Sequence, residues 1–177
     1  MAFIYRVIRA AMLDAAVYEE VEADRSALWQ AATVVLLSSL AAGLGAAGIQ
    51  GPAVTTQVAI SAIALVTWTA WAMLVLQVGA RYMPEPRTRA DIGQLLRTVG
   101  FAAAPGLFQV FAMQPPLAIP VFVVSWLWMF AAMVIAIRQA LDYRGTGRAI
   151  AVTAVGFGLV LALVVVISVL LGPTLEA

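Results

Sequence analysis

The chain has 177 residues, of which 64% are hydrophobic and 11% charged, with a formal net charge of +1 and a mean hydropathy of +1.00. Water-soluble domains carry about 25% charged residues, so the composition excludes one, and the length leaves room for one domain without a separate soluble module. Cysteine and histidine are absent, which removes disulfides, thiol nucleophiles, thiolate metal sites and the commonest general base.

All ten basic residues are arginine, a bias that points to a GC-rich bacterial genome. Residues 1–25 read as a cytoplasmic segment. Asp14, Glu19, Glu20, Glu22 and Asp24 precede the first long apolar run. A secretory signal has a basic head and a short apolar core instead, so this segment is expected to stay in the mature protein. At about 100° per residue, Phe3, Ile4, Val7, Ile8, Ala11, Met12 and Ala15 share a face, while Arg6 and Arg9 point away from it. The pattern predicts an interfacial amphipathic helix with its apolar side down. Asp14 falls on that apolar face and is expected to cap a new helix.

The acidic run ends at a helix start with Asp24 or Ser26 as N-cap. Carboxylates there gain ~0.3–1 kcal/mol each from the helix dipole. The alternative is a cytoplasmic ionic or partner site built from Glu19, Glu20, Glu22 and Asp24. The alternating acids and central glycine of a calcium loop are missing, and no metal or other cofactor is expected.

Five apolar stretches follow, at about 27–49, 54–79, 92–113, 117–137 and 149–171, and each is near the ~20 residues a membrane helix needs. Residues 26–80 and 98–137 hold no charge. The expected fold is therefore an all-α integral membrane domain over residues 26–177, with five transmembrane helices preceded by the interfacial helix. Residues 41–48, AAGLGAAG, form a small-residue strip of the kind that lets helices pack closely in lipid. Turns are expected at 49–52 and 113–116. Asp91 is placed to cap the third span, and Pro105 is expected to kink or break it.

The arginines fall in three groups, in residues 1–25, 81–97 and 138–148, and none lies in the two turns or the C-terminal tail. Arginine-rich short segments stay cytoplasmic. All three groups share one side when the spans number five, with the N-terminus inside and the C-terminus outside the inner membrane.

Two sets of residues stand out. Thr67, Trp68 and Trp71 in the second span, Pro105 and Gly106 in the third, and Ser125 and Trp128 in the fourth lie near mid-membrane. Tryptophan normally gathers at membrane edges, so the set outlines either a pocket for a lipid or small amphiphile or a packed aromatic core. Arg97 lies about 9 Å past the start of its helix. It either snorkels to the surface or pairs with Glu19, Glu20 or Glu22. Gly-rich phosphate loops and nucleophile-elbow serines are absent from the sequence, and an enzyme is not expected.

Residues 14–27 (DAAVYEEVEADRSA), 95–108 (LLRTVGFAAAPGLF) and 137–150 (IRQALDYRGTGRAI) together resemble the bacterial branch of the Yip-one domain family, the Ypt/Rab-interacting proteins. The most specific piece is Gly-Phe-Ala-x-x-Pro-Gly, residues 100–106, with an arginine just upstream. The resemblance implies five transmembrane helices with a cytosolic N-terminus. Eukaryotic members are implicated in vesicle traffic and in association with small GTPases. This chain lacks their Asp-Leu-Tyr-Gly-Pro signature and longer cytosolic domain, so GTPase binding does not carry over.

The expected function is a non-enzymatic, trafficking-like membrane organiser or partner-binding scaffold of the bacterial inner membrane. It contacts the lipid bilayer, self-associates or meets a membrane partner, and binds no nucleic acid. A small transporter, channel-like or lipid-binding protein is the alternative. With no native cysteine, single-cysteine labelling of intact cells gives a clean test of the topology. The expected outcome is Met1 and Ala177 in opposite compartments, and labelling of both from the same side contradicts the span count.

Overall fold

The computed structural model describes residues 2–50, 54–86 and 88–171, with side-chain surroundings for residues 2–46, 64–86, 88–159 and 162. Every regular element among the described residues is helical. Helices α1 (Ala2–Ala11) and α2 (Ala15–Ala23) come first, followed by α3 (Ala27–Gln50), α4 (Val54–Leu76) and a π turn (Gln77–Tyr82). Then come α5 (Ile92–Phe101), a 3₁₀ helix (Ala104–Met113), a short 3₁₀ turn (Pro115–Leu117), α6 (Ala118–Ala140) and α7 (Thr146–Leu171).

Among the described residues three stretches are long and apolar enough to cross a membrane: Ala27–Ala46, Ile92–Met113 and Pro115–Ala140. Helices α4 and α7 have 23 and 26 residues. The expected turn at 49–52 and the C-terminal tail reach into residues 51–53 and 172–177, outside the described set.

Helices α1 and α2 form an antiparallel hairpin. Its tip is set by Leu13, at a φ of 63°, and by Asp14, whose carboxylate accepts from the Ala16 N–H and caps α2. The apolar arc expected on α1 divides in two. Phe3, Val7, Ala10 and Ala11 pack on the bundle, while Ile4, Ile8 and Met12 point outward. A helix wedged against a bundle has two walls, so one apolar stripe cannot face both.

The apolar stretch Ile92–Met113 is interrupted where its proline demands it. Asp91 and Gln94 form a reciprocal capping box at the start of α5. The α geometry ends at Phe101, and a ten-residue 3₁₀ helix carries Pro105 in its first turn. Pro105 has no N–H to donate, and its ring excludes a continuous α-helix. Stretches of 3₁₀ longer than three or four residues are uncommon, so tertiary packing must hold this one. Helix α3 supplies it: the Ser38 hydroxyl donates to the Ala103 carbonyl at 2.8 Å. At Gly45 a Cβ atom would lie 2.3 Å from the Gln109 carbonyl, and at Gly100 one would lie 2.7 Å from the Ala31 Cβ. Both are close approaches of helix backbone, the type of contact small residues permit in lipid.

Two apolar clusters organise the whole. One joins the hairpin to α3, α5, the 3₁₀ helix and α6 through residues such as Val17, Tyr18, Val34, Phe101 and Ala136. The other joins α4 to α7 through Trp71, Val75, Leu95, Ile137 and Val152. The loop end of α4 is tied in by the buried Tyr143 hydroxyl, 2.8 Å from the Gly79 carbonyl and 3.0 Å from that of Met83.

Because the Gly45 contact is with backbone, Gly45→Ala is expected to destabilise the protein by about 1–3 kcal/mol. Gly147→Ala, where a Cβ meets nothing within 4 Å, should be neutral or slightly stabilising. Thermal unfolding of the two variants in the same detergent checks the pair.

Candidate functional site

The charged residues of the N-terminal segment bond mainly to one another. Arg6 donates to Glu20, Asp24 and Gln30 at 2.8, 2.8 and 3.1 Å. Arg9 donates to Asp14 at 2.7 Å and to Glu20 at 3.2 Å. The arginine side chains are only 11% and 22% exposed, so both turn into the hairpin and away from solvent. Asp24 is held low, at about 2, first by the Ser26 hydroxyl and then by Arg6. The Asp24 carboxylate also accepts from the Ser26 N–H at 2.9 Å, which joins α2 to the start of α3.

Arg97 reaches the expected segment by a different route. Its guanidinium donates to the carbonyls of Val21 and Glu22, with Nε at 3.0 and 3.1 Å and Nη2 also on Glu22. The sequence leaves a snorkelling arginine and a glutamate-paired one both open, and the acceptors found here are backbone carbonyls of the acidic segment. The last turn of α2 has carbonyls without intrahelical partners, and a cation at a helix C-terminus is favourable. Arg97 is 7% exposed and satisfies that end from a neighbouring helix.

With the guanidinium on carbonyls, the Glu22 carboxylate lies partly buried in acidic company. Its pKa is pushed up to about 7, first by burial and then by Asp142, with Glu19 and Asp91 adding to the rise and Arg97 opposing it. Glu19 accepts from the Gln139 amide at 2.8 Å, so α2 is also tied to the end of α6. Among the described residues no group of three or more acidic side chains is arranged to hold a metal ion.

The set expected at mid-membrane separates into two neighbourhoods. Pro105 and Gly106 are buried, and a Cβ on Gly106 would meet Met129 and Ser38. Trp128 joins that side, its ring 5.1 Å from Phe108 and its N–H donating to the Ala11 carbonyl at 2.6 Å. On the other side, the Trp68 N–H donates to the Leu96 carbonyl at 3.1 Å. Trp71 meets Phe157 of α7 edge-on at 4.9 Å, and its indole N–H is buried without an acceptor. Ser125 is buried and Thr67 faces outward. Two open apolar grooves lie on the surface, about 420 Å³ beside Leu65, Thr69 and Met73 and about 530 Å³ beside Ile4, Tyr5 and Ile8. Neither is lined by Trp71, Pro105 or Trp128.

Several residues that fix this arrangement were not picked out by sequence reasoning. Tyr143 and Phe157 carry no local signal, because their partners lie on other helices. Arg6 and Arg9 did carry one: two cations near a run of acids, separated by a single turn.

The raised Glu22 pKa has a sign that can be checked. The usual value is 4.5 and the folded value is about 7, so the neutral carboxyl is the form that docking favours. Its contribution is fully present below about pH 4.5 and is lost as pH rises through about 7. Hydrogen-exchange protection of α2 in the intact protein, with the intrinsic rise of amide exchange with pH divided out, should therefore fall across that window, and Glu22→Gln should flatten that fall. Arg97→Met should expose α2 at every pH, at a cost of about 2–3 kcal/mol for the lost charge-assisted bonds.

Among known proteins, the model of the Yip1 domain family matches residues 13–167. No curated protein and no solved structure matches the chain. The matched region begins at the hairpin tip, takes in the acidic run, Arg97 and the Pro105 break, and ends within α7. On that evidence the chain belongs to the Yip1 domain family, whose proteins are associated with membranes.

Proposed function

We propose that this protein is a five-span, non-enzymatic organiser or partner-binding scaffold of the bacterial inner membrane, with its N-terminus cytoplasmic and its C-terminus outside. The observation that carries this reading is how its polar side chains at depth are used. Arg97, Trp68, Trp128 and Ser38 each donate to a backbone carbonyl of another element. Donors that close on backbone hold helices together, whereas a reactive or transporting site keeps its polar groups turned to a substrate.

The five-span count is supported by the arginine pattern and by helix length. Helices α3, α4, α6 and α7 have 24, 23, 23 and 26 residues, and α5 with its 3₁₀ continuation makes the fifth crossing. Self-association is proposed through small-residue faces, including the part of residues 41–48 that Ala41 and Gly45, packed within the chain, leave over. Residues 47 and 48 of that strip lie outside those whose side-chain surroundings are described.

One observation favours a second reading, a lipid- or amphiphile-handling protein. The Trp71 indole N–H is buried without an acceptor, beside Phe157 and close to Gly156. A hydroxyl or ester oxygen of a bound amphiphile fits that need. Native mass spectrometry of the full chain released from nanodiscs separates the two readings. The scaffold reading expects oligomers without a stoichiometric small molecule. A single retained amphiphile that Trp71→Phe abolishes favours the second reading and overturns the first.

A further inference from the structure

The depth of the N-terminal hairpin can be read from the helices it touches. Trp128 is the eleventh of the 23 residues of α6, about 15 Å from one end and 18 Å from the other. The apolar part of a bilayer is about 30 Å thick, so a spanning α6 carries Trp128 near the midplane. Its N–H holds the Ala11 carbonyl at 2.6 Å. A second marker agrees. Helix α1 packs directly against the 3₁₀ helix Ala104–Met113, which begins past the end of α5, about 15 Å from its start. The middle of the hairpin already reaches the ends of the long helices, where Glu19 meets Gln139, the second-last residue of α6, and Arg6 meets Gln30 in the first turn of α3. A helix lying flat on the headgroups cannot satisfy both sets of contacts.

Tip chemistry suits immersion. Backbone that leaves helical geometry in hydrocarbon must find partners within the protein. The Met12, Leu13 and Asp14 N–H groups donate to the Ile8, Ala10 and Arg9 carbonyls at 2.9, 3.1 and 3.1 Å. Tyr18 donates to the Ala10 carbonyl at 3.1 Å. The tip's charges, Arg9 and Asp14, are paired at 2.7 Å, as charges within bilayers are. Meanwhile Ile4, Ile8 and Met12 form an outer edge at i, i+4, i+8 that is 66%, 51% and 72% exposed.

We propose that the α1–α2 hairpin is a half-depth wedge whose outer edge lies among the acyl chains of the leaflet on the arginine-rich side. The same lipid that covers the walls of α6 and the 3₁₀ helix covers this edge, because the hairpin lies against those walls. Arg6 and Arg9 are held by carboxylates, so the wedge engages hydrocarbon independently of anionic headgroups. It adds area to one leaflet alone and makes that leaflet the convex one. This inference rests on the spanning reading of α6.

The test uses the full chain, naturally free of cysteine, with nitroxides at Met12→Cys, Leu127→Cys or Ala23→Cys in phosphatidylcholine nanodiscs. Collision with oxygen against a water-soluble nickel chelate reports depth. The expected result is a Met12 site as deep as Leu127, which is 68% exposed on α6, with Ala23 in water and no change on adding anionic lipid. A water-accessible Met12 beside a deep Leu127 overturns the wedge and leaves the spans standing. A water-accessible Leu127 overturns the spanning reading and the wedge with it. Spin–spin broadening at Met12 between copies assigns the edge to a second chain and overturns the proposal.

Discussion

Hydrocarbon offers a peptide group nothing to bond to, and this chain breaks regular helix geometry several times within its apolar mass. Each break has to be closed by the protein itself. At Pro105 the Ser38 hydroxyl takes the Ala103 carbonyl. The end of α1 is met by Trp128, and toward the arginine-rich surface the same device recurs, with Arg97 on the end of α2 and Tyr143 on the π turn after α4. The donors come from distant parts of the chain, so the same bonds that satisfy the breaks also hold the elements in place.

Arg97 is the clearest example of this double use. A guanidinium presents several donors in a fixed fork, and here they converge on two successive carbonyls of α2. Burying that group without partners costs several kcal/mol, so undocking α2 is opposed by the exposed donors as well as by lost packing. The hairpin is therefore an integral wall of the bundle. Glu22 adds a proton-dependent element to that wall through its burial beside Asp142.

The helical class, the cap at Asp14, the cap at Asp91 and the break at Pro105 were legible because each depends on local chemistry. N-caps and prolines act within a turn of their own position. The pairing of Arg97 with α2 was half legible: charge and location pointed to the segment, but a carbonyl is invisible in a sequence because every residue carries one. The partners of the tryptophans were harder still. Trp68 and Trp128 find acceptors 28 and 117 residues away, distances that periodicity cannot reach. The two apolar walls of α1 were hidden for a related reason. A helical wheel gives the width of an apolar arc but says nothing of how many neighbours share it.

The central claim, that side-chain donors close the backbone of this membrane fold, is tested most directly at Arg97. Solid-state NMR of the full chain in lipid bilayers, with a carbonyl ¹³C at Glu22 and ¹⁵N in the Arg97 side chain, measures their dipolar coupling. The account predicts strong dephasing, because the Arg97 Nε lies 3.1 Å from the oxygen bonded to the labelled carbon. Absence of dephasing, with the label shown instead to couple to a glutamate carboxylate, would contradict it.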